Sequence, residues 1–403
     1  MADAYSFEPL ITQNQLVLER AEAVIAAAGR LGSSLHPQTV AALAELLRTV
    51  NCYYSNLIEN HDTHLIDIER AMRSDFSADS LKRDLQAEAR AHIEVQIEIE
   101  KQLVQKGDLQ TVSEKFLCWI HAEFYRREPA AFRILRDMSG KQTAEVVPGE
   151  LRTYNVGVGR HLPPPHTEIK SFLARMAEVY DFSRLKGGAA VAAIAAAHHR
   201  LLWVHPFGDG NGRVARLMTD ASLRRIGLAG HGLWTVARGL ARSREKYLYL
   251  LDQADASRSG DLDGRGALSE SGLNAFCLFF LETCEDQIEF MYKQLQVDAF
   301  ADRIRAYAHS RENGIYPDMA GTTGRDSLRF RPDMSRLLLH LIYRGSIPRR
   351  DIPELLKLEE RTSRRVVKDL ITQGFARADT SRAPLRLSIP AYAVEYVVPG
   401  LVD

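Results

Sequence analysis

A run of twelve residues, from His205 to Arg216, constrains this chain more than any other part of its sequence. It reads HPFGDGNGRVAR and so brings a histidine, an acidic residue, three glycines and two arginines together. A histidine can accept a proton near neutral pH, and Asp209 is a hard oxygen ligand of the kind that Mg²⁺ prefers. Because glycines let a backbone approach phosphate oxygens and arginines bind them bidentately, the run predicts chemistry on a nucleotide phosphate.

The segments on either side of this run predict two helices. Residues 189–204 are apolar and rich in alanine, which favours a buried helix. Pro206 and the glycines interrupt it, and a second helix is expected from about Asn211 to about Arg225. A glycine-rich loop that leads into a helix N-terminus presents backbone N–H groups and a positive dipole end, so we expect it to hold an anion. Phe207 is predicted to be a buried anchor of the loop.

A plain loop between two core helices, with a lone histidine and surface arginines, would share some of these features. The run nevertheless matches all eight fixed positions of the pattern HxFx[DE]GNGRxxR, and on this motif the chain resembles the Fic family. The resemblance implies an all-α catalytic core and transfer of AMP from ATP to a Ser, Thr or Tyr hydroxyl of a target protein. In-line attack at the α-phosphate would release pyrophosphate and would be catalysed by positioning and charge neutralisation.

The resemblance also implies a role for each residue of the motif. His205 would deprotonate the target hydroxyl, Asp209 would hold Mg²⁺ on the α- and β-phosphates, and Arg216 would reach the γ-phosphate. The remaining phosphate-binding residues would be Gly208, Gly210, Asn211, Gly212 and Arg213.

A second motif lies far upstream, in the stretch SNLIEN that begins at Ser55. Ser55 and Glu59 are four residues apart and would be neighbours on a helix face, and Asn60 can end that helix in the left-handed conformation. The stretch resembles the inhibitory motif [ST]xxxE[GN] of the same family, in the class with an N-terminal inhibitory helix. The resemblance implies that Glu59 pairs with Arg216 and blocks the γ-phosphate. It also implies that Glu59 can position water to remove AMP again.

A third segment contains alternating Val and Gly at Val156, Gly157 and Val158, followed by prolines at 163–165. This pattern predicts a short exposed hairpin. It resembles the flap of the family, which would hold a target peptide by strand addition. An ordinary surface hairpin is the alternative.

An aromatic residue after the motif, Tyr247, opens a stretch that resembles the nucleoside-facing helix of the family and could line the base pocket. For Tyr249, packing in the core is expected at least as much as a place in the base pocket. The stretch 259–270 has acidic residues at several EF-hand offsets, but Ser stands at the first offset, so a turn between two helices is the preferred interpretation. His198 and His199 are expected to pack within a helix, since no zinc-binding spacing accompanies them.

The overall composition excludes several classes of protein. Lys plus Arg and Asp plus Glu both number 52, so the whole chain has no bias toward nucleic acid or membranes. Its four cysteines have no paired spacing, which predicts free thiols in a reducing cytoplasm. The first residues show no signal-peptide pattern, and the apolar runs are too short to span a bilayer. We therefore expect a cytoplasmic protein without a membrane partner.

The chain of 403 residues is expected to divide into four parts. These are an N-terminal helical region over 1–105, a Fic core over 106–295, a helix and linker over 296–332, and a winged helix-turn-helix domain over 333–403. The last part is predicted from helices near 334–343, 350–357 and 362–372 and a wing over 380–389. Seven basic residues there could form a phosphate-binding face, namely Arg361, Arg364, Arg365, Lys368, Arg377, Arg382 and Arg386. A role in protein docking or dimerisation is the alternative.

Three functions follow from these patterns. The first is a self-inhibited, reversible AMP transferase with ATP as co-substrate and Mg²⁺ as cofactor, acting on a target protein or on itself. The second is a Fic-like transferase that uses another nucleotide or a phosphocholine carrier. The third is a DNA-binding regulator that senses a nucleotide. Retention of His205 argues against the third, because a sensor needs no general base.

Overall fold

The computed structural model describes residues 6–33, 35–136, 142–228, 230 and 232–402. Helices account for most of the described chain, and this confirms the predicted all-α class. In chain order they are α1 (Gln15–Arg30), α2 (Pro37–Ile58), α3 (Leu65–Met72), α4 (Ser80–Gln105), α5 (Glu114–Arg127), α6 (Ile169–Val179), α7 (Gly187–Val204), α8 (Asn211–Arg225), α9 (Val236–Arg242), α10 (Arg244–Asp255), α11 (Glu270–Gln294), α12 (Val297–Glu312), α13 (Pro332–Arg344), α14 (Ile352–Leu356), α15 (Glu360–Thr372) and α16 (Val394–Val397).

The described residues also form five short strands. They are β1 (Ile134–Arg136), β2 (Gln142–Glu145), β3 (Ser346–Ile347), β4 (Ala376–Arg377) and β5 (Leu385–Leu387). The first two pair antiparallel, and the other three form an antiparallel sheet in the order β3-β5-β4.

The chain forms two compact units. The larger one comprises Met1–Gly29, Asn51–Ala229 and Thr235–Ile288, and the smaller one comprises Arg30–Val50, Gly230–Trp234 and Glu289–Asp403. The larger unit contains the whole HPFGDGNGRVAR run and the upstream SNLIEN stretch. The predicted domain bounds stay a prediction.

At the centre of the larger unit, α8 packs against α7 and also contacts α4 and α5. Alanine has the highest helix propensity and a small side chain, so an alanine-rich helix can be approached closely from several sides. All but a few residues of α7 are buried accordingly. The bounds of α7 and α8 confirm the two helices predicted around the motif.

The predicted flap is a shorter hairpin than the sequence suggested. Val158 and His161 form a single antiparallel bridge with both backbone hydrogen bonds at 2.9 Å, and Gly159 and Arg160 make the turn. Val156 and Gly157 precede this bridge and belong to no strand. The β1–β2 pair was not predicted, because its residues show no clear alternation of apolar and polar side chains.

The C-terminal part of the smaller unit has the element order helix, strand, helix, helix, strand, strand. The three predicted helices are confirmed as α13, α14 and α15 with small shifts in their bounds. Over the predicted wing, β4 and β5 pair and residues 378–384 connect them. Strand β3 was missed because two residues carry no periodic signal. This order is compatible with a winged helix-turn-helix, and that assignment stays a prediction.

Two expectations from composition can be compared with the structure. Each of the four cysteines lies within the described ranges and is unpaired. Among the described residues, no helix combines the length and the apolarity that a membrane-spanning segment needs.

Candidate active site

The loop between α7 and α8 is shaped by two residues in the left-handed conformation. His205 ends α7 with a φ of 47°, and its N–H donates to the carbonyl of Leu201 at 3.0 Å. Gly210 precedes α8 with a φ of 75°, and a Cβ at this position would lie 2.8 Å from the Tyr125 ring. Glycine is therefore required at 210 both by conformation and by space.

A buried anchor holds this loop in place. Phe207 is fully buried and stacks on the His121 ring at 4.1 Å between centroids, which confirms its predicted role. The Asn211 side chain accepts from the N–H of Phe207 and donates to its carbonyl, both at 3.0 Å. The amide of Asn211 thus fixes the loop, and only its backbone N–H is left to face an anion.

Asp209, the predicted metal ligand, is half exposed beside two partners. The Tyr125 hydroxyl donates to its Oδ2 at 2.7 Å, and Arg213 Nη2 lies 3.1 Å from the same oxygen. Burial opposes ionisation here, but Arg213, the Tyr125 hydroxyl and the Gly210 N–H outweigh it and lower the pKa of Asp209. The carboxylate is therefore charged at neutral pH.

Arg213, like Arg216, is buried, and it is surrounded by acidic side chains. Its Nη1 lies 2.7 Å from Glu88 and 3.0 Å from Glu128, both fully buried carboxyl groups. Burial raises the pKa of Glu128 to about 8, although Arg213 opposes this shift. Arg213 also lies over the Phe124 ring at 4.9 Å. In this structure the Arg213 guanidinium therefore holds together the buried acidic side chains beneath the loop.

Arg216 and the upstream motif meet as the resemblance implied. Arg216 Nη2 lies 2.6 Å from Glu59 Oε1, and its Nε donates to the Ser55 hydroxyl at 2.8 Å. The Ser55 carbonyl accepts from Nη2 at 3.1 Å. Burial opposes ionisation of Glu59, but Arg216 and Arg213 outweigh it and lower its pKa. Asn60 has a φ of 64°, as predicted for the end of α2.

The Glu59 carboxylate also lies against the first turn of α8. A Cβ added to Gly212 would approach Glu59 Oε1 to 2.5 Å and Arg216 Nη1 to 3.1 Å. The carboxylate therefore occupies the space beside the helix N-terminus, where backbone N–H groups favour an anion.

One cavity of about 610 Å³ joins much of this chemistry, a size that suits a small-molecule ligand. Six residues singled out from the sequence line it: Glu59, Val158, His205, Gly212, Arg216 and Tyr247. Asp209 and Arg213 lie in the same loop and helix but do not line the cavity. Val156 and Gly157 do not line it either.

The two tyrosines after the motif have opposite environments. Tyr247 is buried, and its hydroxyl lies 2.8 Å from His198 Nε2 while the residue lines the cavity. Tyr249 is 61% exposed and lines the cavity as well, so core packing is the wrong role for it. His198 and His199 are fully buried, which confirms their predicted place in helix packing.

The flap segment and the catalytic loop are joined by Arg152, which is buried. Its Nε donates to the His205 carbonyl at 2.8 Å, its Nη1 to the Tyr154 carbonyl at 2.9 Å, and its Nη2 to the Pro164 carbonyl at 2.6 Å. Its Nη2 also donates to the Val204 carbonyl at 3.4 Å, so one guanidinium satisfies four backbone acceptors on two segments. Burial lowers the pKa of His205 itself to about 4, so its imidazole is neutral at neutral pH.

Sequence reasoning missed several residues of the site. Tyr125, Glu88 and Glu128 surround Asp209 and Arg213, and Arg152 connects the flap segment to the catalytic loop. Glu88 lies in the charged helix α4, where nothing local distinguishes a buried acid from a solvated one. The stretch 259–270 is a connection between α10 and α11, as preferred, and Asp263 accepts there from Ser259 and Ser271 N–H groups.

The donor set fits a metal ion that is held together with a substrate. The described residues contain no group of three or more His, Cys, Asp or Glu side chains that could hold a metal alone. Mg²⁺ is commonly bound through one or two carboxylates, phosphate oxygens and water. The half-exposed, charged Asp209 at the edge of a glycine loop is suited to that arrangement.

Comparison with known proteins agrees with this fold and motif. Residues 111–223 match the family model described as Fic/DOC family. The chain therefore contains a segment that is similar to the Fic/DOC family, over about a quarter of its length. Protein adenylyltransferase Fic from Drosophila erecta is 24% identical over 144 residues, which are 35% of this chain and 29% of the relative. The chain thus matches less than a third of that protein's length.

Two solved structures resemble the whole chain or most of it. A Fic family protein from Desulfovibrio desulfuricans G20 has a TM-score of 0.53 at 17% identity and covers 94% of this chain and 98% of its own. Fic-1 from C. elegans has a TM-score of 0.54 at 16% identity and covers 70% of this chain and 73% of its own. At these identities the likeness shows the fold.

Proposed function

We propose that this protein transfers AMP from ATP to a Ser, Thr or Tyr hydroxyl of a target protein and that Glu59 inhibits the transfer. The observation that carries the proposal is the ion pair of Glu59 with Arg216 in the cavity that also holds His205. A neutral imidazole, an arginine and a helix N-terminus are the groups that such a transfer requires. The name of the matched relative supports the same activity.

The proposed reaction is an in-line displacement at the α-phosphorus of ATP. The target oxygen forms a bond to this phosphorus while the bond to the oxygen bridging to the β-phosphate breaks. The hydroxyl proton passes to His205, and pyrophosphate leaves. The target then carries AMP as a phosphodiester, and His205 returns its proton to solvent. The N–H groups at the start of α8 and Arg216 face the phosphate charge.

A bound Mg²⁺ ion would neutralise phosphate charge and orient the leaving group. Asp209 would hold it through a carboxylate oxygen, and Tyr125 would keep that carboxylate oriented by its hydrogen bond. Phe207 and Asn211 keep the loop between them rigid, so Asp209 and His205 stay at a fixed separation.

Inhibition follows from competition for one position. A γ-phosphate beside Gly212 and Arg216 would require the place and the partner that Glu59 now has. Since both groups are anions, only one can use the guanidinium at a time. ATP would bind in a shifted position, and its α-phosphate would not face His205.

The test compares label transfer from α-32P-ATP and γ-32P-ATP, with Mg²⁺, in wild type, Glu59→Gly and Glu59→Gly/His205→Ala. We expect protein labelling from the α-position only, an increase in Glu59→Gly and its loss in the double variant. Glu98→Gln is the matched control, since it also removes an acid from an ion pair, at 2.7 Å to Lys101, far along the chain from the motif.

Each other outcome contradicts part of the proposal. Label from the γ-position would identify a kinase-like transfer instead. Unchanged labelling in Glu59→Gly would remove Glu59 from the inhibitory role, and transfer that survives His205→Ala would remove the general base. No α-label in any variant would contradict AMP transfer from ATP.

A further inference from the structure

The smaller unit carries a basic groove that the proposed transfer does not use. The groove has a volume of about 900 Å³ and lies between the 3-10 turn Arg349–Asp351, helices α14 and α15, and the β4–β5 connection. We name it the basic groove. Five cationic side chains line it, namely Arg349, Arg350, Arg364, Lys368 and Arg382.

The charge of the basic groove is only partly balanced. Arg364 pairs with Glu360, and Arg350 Nε lies 3.3 Å from Asp351. Within the described residues, Lys368 and Arg382 have no ion-pair partner, and both side chains are exposed. Glu360 is the one acidic residue of the lining. A concave surface with this excess of positive charge attracts a polyanion.

The basic residues that line the groove differ from the seven that the sequence suggested. Of the seven that the sequence suggested, Arg377 pairs with Glu45 and Arg386 with Asp379. Neither lines the groove. Arg349 and Arg350 are added to it from the turn that directly precedes α14.

The backbone arrangement indicates which polyanion fits. Three residues connect α14 to α15, and Lys357 makes the turn with a φ of 56°. This is the spacing of a helix-turn-helix, whose second helix enters the major groove of DNA. Helix α15 exposes Arg361, Arg364, Arg365 and Lys368 on its outer face, while Val366, Val367 and Leu370 are buried.

We propose that the basic groove binds duplex DNA through its phosphates, with α15 facing the major groove. Lys368 and Arg382 lie on either side of the groove, on a helix and on the β4–β5 connection, so they can contact two separate phosphates. Double-stranded DNA is preferred over an acidic protein because evenly spaced charges can meet both sides of the groove. The proposal is independent of His205.

The test measures anisotropy of a labelled duplex of about 21 base pairs, two turns of DNA, with full-length protein over about 50–200 mM salt. Lys368→Ala/Arg382→Ala is compared with Lys293→Ala/Arg344→Ala, which removes two exposed cations of the same unit outside the groove. We expect the first variant to reduce the slope of log K against log salt by about 2. The control and His205→Ala should bind as wild type.

Three outcomes would overturn the proposal. One is no binding of the duplex at the lowest salt. Another is an equal loss in both double variants, which would indicate attraction to the net charge alone. The third is binding of anionic lipid vesicles or single-stranded DNA in preference to the duplex. Circular dichroism of each variant establishes that it is folded, and Lys368→Arg, which keeps the charge, should keep the wild-type slope.

Discussion

The two arginines of the motif lie three residues apart on α8 and have different surroundings. Arg213 is enclosed by Glu88, Glu128 and Asp209, whereas Arg216 reaches Glu59 in the cavity. A buried guanidinium with several acidic partners is costly to move, because each partner would lose its compensating charge. Arg216 has one carboxylate to exchange, so it is the arginine that can respond to a phosphate.

Ser55 offers a graded test of the inhibitory contact. Ser55→Ala removes the acceptor of the Arg216 Nε hydrogen bond, which is buried. A hydrogen bond from a charged donor is worth about 1.5 kcal/mol, or roughly ten-fold in an equilibrium. We expect Ser55→Ala to raise α-label transfer by about that factor, less than Glu59→Gly does. Ser55→Thr keeps the hydroxyl and should stay at the wild-type level; an increase equal to that of Ser55→Ala would contradict this role.

The motif residues could be predicted from the sequence, but the side chains that contact them could not. The motif pattern led to His205, Asp209 and Arg216 because chemistry requires those residue types at those positions. Nothing in α4 or at the end of α5 sets Glu88 or Glu128 apart from solvated acids. Their role depends on which helix faces pack together, and that is a property of the tertiary fold.

At the scale of elements, the hydrogen bonds of Arg152 connect the flap segment to the catalytic loop. Arg152 donates to the carbonyls of Tyr154 and Pro164, which precede and follow the Val158–His161 bridge, and to the carbonyl of His205. The flap therefore cannot shift without disturbing the proposed base. Sequence patterns predicted a hairpin here but not this connection, since an arginine in a loop is usually solvent-exposed.

Arg152→Lys should lower kcat without a comparable change in KM for ATP, because a compact ammonium lacks the planar fork whose Nε, Nη1 and Nη2 reach carbonyls in different directions. We expect a loss of about 100-fold, the effect of misplacing a catalytic group by about 1 Å. The measurement is α-label transfer in the Glu59→Gly background. Arg184→Lys is the control, on an exposed side chain paired with Asp181. An equal loss in both variants, or a change confined to KM, would argue against positioning.

The helices of the larger unit were easier to predict than its strands. Helices α7 and α8 follow from an alanine-rich segment and a glycine boundary, both of which are local signals. The β1–β2 pair depends on contacts between short strands with no periodic pattern. The hairpin at Val158 and His161 is only one bridge long, so its prediction rested on Gly and Pro alone.

For the whole molecule, buried histidines with lowered pKa values, His205 among them, contribute to the response of stability to pH. Burial lowers the pKa of His92 and His198 to about 3 and that of His121 to about 4. Below about pH 6.5 the unfolded chain binds protons on these side chains and the folded chain does not, so stability falls as pH decreases toward 4. Glu128 acts in the opposite sense, since its pKa of about 8 lets the folded state keep a proton.

Urea denaturation followed by fluorescence at about pH 7, 6 and 5 would measure this dependence. Each histidine should contribute up to about 1.4 kcal/mol per pH unit below its unfolded pKa. His92→Gln should reduce the slope of the unfolding free energy against pH by the contribution of one histidine. His309→Gln, at a side chain 77% exposed, should leave it unchanged. A flat profile between about pH 7 and 5 would contradict neutral burial of these side chains.

The pair of Glu59 and Arg216 joins residues 157 positions apart in one chain. Its formation is therefore a first-order process, and the fraction of molecules that contain it does not change when the protein is diluted or concentrated. Changing the amount of enzyme in a cell would change the number of molecules and leave the activity of each one the same. Under this scheme, release must come from a ligand or target that binds the open form more tightly, by as much free energy as the pair contributes.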